Sequence, residues 1–282
     1  MSKLGVIPHR LGGGEAGSTS YLRAGLGEPL VLIHGVGMNA SIWTPQIEAL
    51  RNDFDVVAYD MLGHGGSSRP SADVKLSDYA DQLRSVVDAL RLETAHVVGH
   101  SMGALVALEF ALAHSARVGS VAALNAVYCR TPEQRAAVEQ RAAALNDGRG
   151  TVSPDGTIAR WFGDPLPAGV HHAAETVRNL LEAVDPVGYA RTYRLFATSD
   201  DAHRGRLGSL NVPALFMTGE LDPNSTPAMS HAMAAAAVKG RCEIISGERH
   251  MMPVTAPCEV NQRLRAFLAL SSHRSAADSG VR

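Results

Sequence analysis

Short, nearly continuous apolar runs alternate with longer amphipathic ones along most of the chain. Residues 29–33, 55–59, 95–98, 118–124 and 212–217 are such runs, each closing on a polar residue or a glycine, and 241–245 reads as a last short strand. Runs of that length without polar alternation predict strands covered on both faces, as in a parallel sheet. The stretches between them carry helical spacing. In 77–90, Tyr79, Leu83, Val86, Val87 and Leu90 recur at intervals of three and four. In 101–114, Leu105, Leu108 and Leu112 form a stripe beside Ala104, Ala107 and Ala111, which are small enough to let a helix lie close to a sheet. Further helices are predicted over 227–238 and 259–270. Strand–helix alternation of this kind predicts an α/β fold with a mostly parallel central sheet flanked by helices.

One segment breaks the rhythm. Between 128 and 206 no strand is predicted, only helices over 132–145, 171–183 and 186–197 and loops rich in Gly, Asp and Pro. The expected organisation is a core of 1–127 and 207–271, an inserted helical cap of 128–206, and a flexible polar tail of 272–282. The segment 127–206 holds ten Arg, no Lys and ten acidic residues. Its arginines could grip a substrate carboxylate in bidentate fashion. With the charges balanced, surface ion pairs are the expected use of most of them.

Composition narrows the classes of function. The 282 residues are 45% hydrophobic and 19% charged, with a net charge of −2. That balance argues against a dedicated nucleic-acid binder, which carries a basic excess. Three scattered cysteines, Cys129, Cys242 and Cys258, form no CxxC pair and read as reduced thiols. No apolar stretch has the length of a signal peptide core or a membrane span. The expectation is a cytoplasmic monomer or homodimer acting on a small molecule, without membrane or nucleic-acid partners. No metal or organic cofactor is expected. No His/Cys/Asp cluster has ligand spacing and no phosphate-binding loop is present, and Gly12-Gly13-Gly14 reads as a turn before a strand.

The sharpest local feature is Gly99-His100-Ser101-Met102-Gly103, which follows an apolar strand and opens a helix. In that setting both glycines have a steric task, and the turn presents the Ser101 hydroxyl at the strand's carboxyl end. Alone, the pentapeptide also fits a tight turn with a helix-capping serine. A serine hydroxyl needs a neighbouring base to act as a nucleophile. His250 is the candidate. His34, His64 and His100 sit inside glycine motifs and read as loop organisers, and His171-His172 lack a third ligand at metal-binding spacing. Asp222 follows the 212–217 strand, giving the chain order Ser, Asp, His. Asp60 reads as a loop anchor and Asp53 as part of a strand-edge turn. Asn125, after the preceding strand, cannot serve as a carboxylate.

His34-Gly35-Val36-Gly37, the run Asp60 to Ser67, the Gly99–Gly103 motif, Gly219-Glu220-Leu221-Asp222-Pro223 and Gly247 to Pro253 follow successive strands. In that order they resemble the α/β-hydrolase fold family, over 29–124 and 210–270. The resemblance implies a Ser101–His250–Asp222 triad and an oxyanion hole from the backbone N–H groups of Val36 and Met102. Serine at the elbow sets aside the dehalogenase and epoxide hydrolase branches. What remains is chiefly carboxylic ester or lactone cleavage, with amide hydrolysis and C–C cleavage of a vinylogous diketone as alternatives. A silent small-ligand receptor on the same fold is a further alternative. Arg160-Trp161-Phe162 is similar to the cap of 3-oxoadipate enol-lactonases and implies a substrate contact for Trp161. Gly37-Met38-Asn39-Ala40 lacks the glycine-proline-glycine loop of the C–C hydrolases. Val36, Met38, Met102, Met251 and Met252 are expected to line an apolar pocket, with Trp161, Phe162, Tyr189 or Tyr193 above.

Overall fold

A computed structural model describes residues 7–14, 17–145, 150 and 153–279. Its strands are β1 (Ile7–Gly14), β2 (Gly17–Ala24), β3 (Glu28–Ile33), β4 (Phe54–Tyr59), β5 (Ala95–His100), β6 (Val118–Leu124), β7 (Ala214–Gly219) and β8 (Gly240–Ile245). They form one sheet in the order β1-β2-β4-β3-β5-β6-β7-β8. From β4 to β8 every pairing is parallel, while β2 runs antiparallel to both β1 and β4. All six expected strands are present. Val31 pairs Val57 on one side and Val97 on the other, and all three are fully buried. Two-sided burial is why these strands read as continuous apolar runs.

The hairpin of β1 and β2 left no such signature. Only Thr19 and Tyr21 of β2 are buried, so its pattern is short, polar and one-sided. The glycines expected to form a turn instead end β1, where Gly14 pairs Gly17.

The helices are α1 (Thr44–Leu50), α2 (Leu76–Ala89), α3 (Met102–Ala113), α4 (Pro132–Ala144), α5 (Pro154–Phe162), α6 (His171–Ala183), α7 (Pro186–Ala197), α8 (Pro227–Ala236), α9 (Met252–Thr255) and α10 (Pro257–Ser279). Helix α3 packs on β5, β6 and α2, and Ala104, Ala107 and Ala111 are fully buried there. Helices α4 to α7 fall between β6 and β7, and no strand interrupts them among the described residues. Helix α5 was not expected, because Gly156 and Thr157 are poor helix formers in its first turn. Ser153 caps it by accepting from the Gly156 N–H, and Pro154 follows at the first position. Helix α10 continues past Leu270 to Ser279, through most of the tail expected to be flexible; no Gly or Pro breaks it before Gly280. No helix of the described residues is long and apolar enough to cross a membrane.

The parallel strands all end on one edge of the sheet. The loops after β3, β5, β7 and β8 therefore converge there, as ligand sites do in open α/β sheets. One close approach on that edge is the crossing of α3 over β3. A Cβ on Gly103 would run into the backbone carbonyls of Ile33 and His34, which cannot retreat without breaking the sheet. Gly103→Ala is expected to lower the free energy of unfolding by about 3 kcal/mol or more, an overpacking cost at the high end of its usual range. Urea denaturation checks this, and a loss under about 1 kcal/mol would mean that the helix can shift.

Candidate active site

Ser101 stands between β5 and α3 with φ 56° and ψ −117°. An L-residue adopts that backbone only under constraint, at a cost of about 1–3 kcal/mol. The constraint is local. A Cβ on Gly99 would strike the Gly103 carbonyl, so the chain can reverse this sharply only with glycine there. The Ser101 N–H is spent on the Leu124 carbonyl at 2.8 Å. Its side chain makes no cap bond to α3, so the capping alternative does not hold. The Oγ instead lies 3.2 Å from His250 Nε2.

His250 comes from the loop between β8 and α9. Its Nδ1–H donates to Asp222 Oδ2 at 2.8 Å, which leaves Nε2 as the acceptor facing Ser101. The Asp222 carboxylate is pinned on both oxygens. Oδ1 accepts from the N–H groups of Asn224 at 2.8 Å and Ser225 at 3.2 Å. Oδ2 also accepts from Asn125 Nδ2 at 2.8 Å. Burial pushes the carboxyl up. His250, and the bonds from His250, Asn125 and the Asn224 N–H, outweigh that and hold it below the ordinary carboxylate range. All three expected triad residues therefore meet, each buried at the strand ends.

The loop after β3 is organised by the histidines of its own motif and of the next. His34 Nδ1–H donates to the Gly35 carbonyl at 2.8 Å, and its Nε2 accepts the Met61 N–H at 2.9 Å. His64 Nε2 accepts the Gly37 N–H at 3.0 Å, and its Nδ1–H donates to the Leu62 carbonyl at 3.1 Å. Asp60 anchors the same region through the N–H groups of Ala40 and Gly66. With the Gly37 and Met38 N–H groups engaged, the Val36 N–H has no partner among the described residues. Met102 opens α3, so its N–H has no partner within the helix. These are the two donors expected at an oxyanion site.

A cavity of about 240 Å³ opens over Ser101 and His250, between the sheet edge and α4, α5 and α7. Val36, Trp161 and Tyr193 line it as expected. Met38, Met102, Met251 and Met252 do not; they are buried behind the wall. Phe162 is likewise buried off the cavity, and Tyr189 lines a neighbouring one. The Trp161 ring lies 5.4 Å from the His250 ring. Beside apolar side chains such as Val138, Trp161 and Phe196, the cavity presents Arg130, Arg141 and Arg160 and no carboxylate. Arg130 is neutralised by Asp200 at 3.3 Å. Arg141 donates to the Tyr193 hydroxyl at 3.1 Å, and Arg160 to the Gly156 carbonyl and the Thr157 hydroxyl. Neither Arg141 nor Arg160 has a carboxylate partner among the described residues, and burial lowers the Arg160 pKa. The balanced charge count concealed this, because acids such as Asp185 and Asp155 pair with Arg69 and Arg178 away from the cavity.

An α/β sheet carrying a strand–serine–helix elbow and a buried Ser–His–Asp relay defines the structural class, and comparison with known proteins agrees with it. Residues 28–160 match the α/β hydrolase fold. The (E)-2-((N-methylformamido)methylene)succinate hydrolase of Acinetobacter baylyi is 41% identical over 248 residues, which are 88% of this chain and 93% of that protein. The 3-oxoadipate enol-lactonase 1 of the same organism is 30% identical over 197 residues, 70% of this chain and 72% of that one. The solved structure of a thermophilic esterase from Thermogutta terrifontis has a TM-score of 0.84 at 23% identity, covering 94% of this chain and 99% of that one. The chain belongs to the α/β-hydrolase fold family.

Burial holds His34 at about 4, and His64 and His100 at about 3, so all three imidazoles are neutral in the folded protein. His96 shifts the same way for the same reason. In the unfolded chain they take up protons near pH 6.5. Between those limits the unfolded state binds more protons, so stability rises with pH there and is complete above about pH 7. The unfolding free energy is expected to be flat above pH 7. It should then fall towards pH 4 with a slope approaching about 1.4 kcal/mol per pH unit for each imidazole. His64→Gln should reduce that slope by one imidazole. Stability independent of pH down to about 4.5 would contradict the buried-neutral assignment.

Proposed function

We propose that the chain is a serine hydrolase of a small carboxylate-bearing substrate, and that the bond it cleaves is the amide of an N-acylated aminomethylene dicarboxylate. The observation that carries the substrate class is the Arg141 and Arg160 pair, which faces the Ser101 cavity without a carboxylate partner among the described residues. A charged guanidinium in a half-enclosed wall calls for an anion, and its planar fork suits a carboxylate. The amide reading is supported by the 41% identical relative, whose name specifies such a succinate. The enol-lactonase relative supports a second reading, the ester bond of a carboxylate-bearing lactone, which the same arginines would fit.

The steps follow from the geometry. The substrate carboxylates dock on Arg141 and Arg160, which sets the acyl carbon over Ser101. His250 Nε2 takes the Ser101 Oγ proton as Oγ bonds to the acyl carbon. The carbonyl electrons move to oxygen, where the Val36 and Met102 N–H groups receive them. Asp222 holds the imidazolium and its tautomer. His250 then gives its proton to the leaving nitrogen, and the C–N bond breaks. Water, deprotonated by the same Nε2, attacks the acyl carbon; the bond from that carbon to Ser101 Oγ then breaks, Nε2 returns its proton to Oγ, and the carboxylic acid leaves.

Two comparisons test this. Ser101→Ala should abolish turnover while the protein stays folded. Arg160→Gln and Arg141→Gln should raise KM for a dicarboxylate amide by roughly 10- to 100-fold, as expected for loss of a hydrogen bond between charged partners. Neither arginine change should alter hydrolysis of neutral p-nitrophenyl acetate more than about twofold, because that ester makes no ionic contact. Equal losses on both substrates would mean that the arginines support the helices and do not select the substrate.

A further inference from the structure

We propose that Asn125 is a positioning residue of this site: its side-chain amide fixes the Asp222 carboxylate so that His250 keeps the proton on Nδ1 and presents a bare Nε2 to Ser101. The inference rests on the serine-hydrolase reading given above.

Asn125 is the first residue after β6 and is fully buried. Its backbone is held from both sides. The N–H donates to the Met217 carbonyl at 2.8 Å, and the carbonyl accepts from Ser225 Oγ at 2.7 Å. Its φ of 49° lies in the left-handed region, where asparagine is tolerated better than most side chains. With the backbone fixed there, the amide reaches three acceptors, Asp222 Oδ2 at 2.8 Å, Thr218 Oγ1 at 3.2 Å and, more distantly, the Arg249 carbonyl at 3.5 Å. The orientation of the amide is decided by the carboxylate, since turning it over would set oxygen against anionic oxygen. The Oδ1 atom is left buried without a partner, and burying it unpaired is unfavourable. The compensating contact is the bond from Nδ2 to a charged acceptor.

The same Asp222 oxygen takes the His250 proton. Two donors therefore converge on Oδ2, while two backbone N–H groups hold Oδ1. Without Asn125 the carboxylate would be held at Oδ2 by His250 alone and could swing towards the Oδ1 donors. The other titratable and charged groups around the pair are His100, which donates to the His250 carbonyl at 2.8 Å, Arg249 beside His250 in the same loop, and Arg130, Arg141 and Arg160 across the cavity.

The test needs no natural substrate. The rate at which a fluorophosphonate labels Ser101 is followed against pH in the wild type, Asn125→Ala and Asn125→Asp, alongside kcat and KM for p-nitrophenyl acetate. Asn125→Ala should slow labelling about tenfold at neutral pH and lower kcat with little change in KM, as expected for one lost bond to a charged group. Asn125→Asp is isosteric and accepts the left-handed backbone, so it keeps the test decisive if the alanine variant does not fold. It sets a second carboxyl against Asp222. The added charge favours the protonated imidazole, and the pH midpoint of labelling should move upward by about one unit. A merely structural role would lower the yield of folded protein and leave that midpoint in place. A labelled wild type with midpoint and rate unaltered in the variants would overturn this inference alone. A wild type that is not labelled would overturn the function and this inference with it.

Discussion

The close approach of Gly99 to Gly103 decides where Ser101 can point. A Cβ on Gly99 would strike Gly103, and one on Gly103 would strike the carbonyls at the end of β3, so neither position has room for a side chain, and Ser101 is left at φ 56°. Its strain, of the order of 1–3 kcal/mol, is offset by the buried packing of α3 against β5 and β6. The remaining groups are arranged around that fixed hydroxyl. The loop after β3 brings the Val36 N–H beside it, the loop after β8 brings His250, and the loop after β7 brings Asp222. Because β3, β5, β6, β7 and β8 are parallel and adjacent, four separate segments reach one point without any long excursion.

A second layer holds those loops in place with neutral imidazoles. His34, His64 and His100 each use one ring nitrogen or both on backbone groups, and burial keeps them uncharged. A carboxylate in their place would bring an uncompensated charge, and an alanine would leave buried backbone N–H or C=O groups unpaired, either of which is costly. The charges that remain are local. Asp222 faces His250, and Arg141 and Arg160 face the cavity. A negative relay on one side and two cations on the other give a small site a direction in which an anionic substrate can be oriented.

Much of this was legible in the sequence, for physical reasons. Strands buried on both faces must be apolar throughout, so β3 to β7 declared themselves; β8, a partly exposed edge strand, did so less plainly. The β1–β2 hairpin buries only one face and did not. The elbow and the histidine motifs were legible because a steric limit leaves glycine as the only residue that fits. The role expected of the methionines was not correct: Met38, Met102, Met251 and Met252 are apolar and near the triad in sequence, but they pack inward. Arg141 and Arg160 were hidden by a charge count in which positive and negative residues cancel over the segment, although they are separated in space. Asn125 was noticed for what it could not be, an acid. Its bond to Asp222 depends on β6 and β7 being neighbours, which no local pattern states.

In the function proposed above, the elbow makes Ser101 the nucleophile that carries the acyl group. Rapid quenching of the protein during turnover of p-nitrophenyl acetate, followed by peptide mass analysis, tests it most directly. A transient acetyl group is expected on the peptide that contains Ser101, at the position of Ser101 itself. An acetyl group on another residue, or turnover with no acylated peptide at any time, would contradict it.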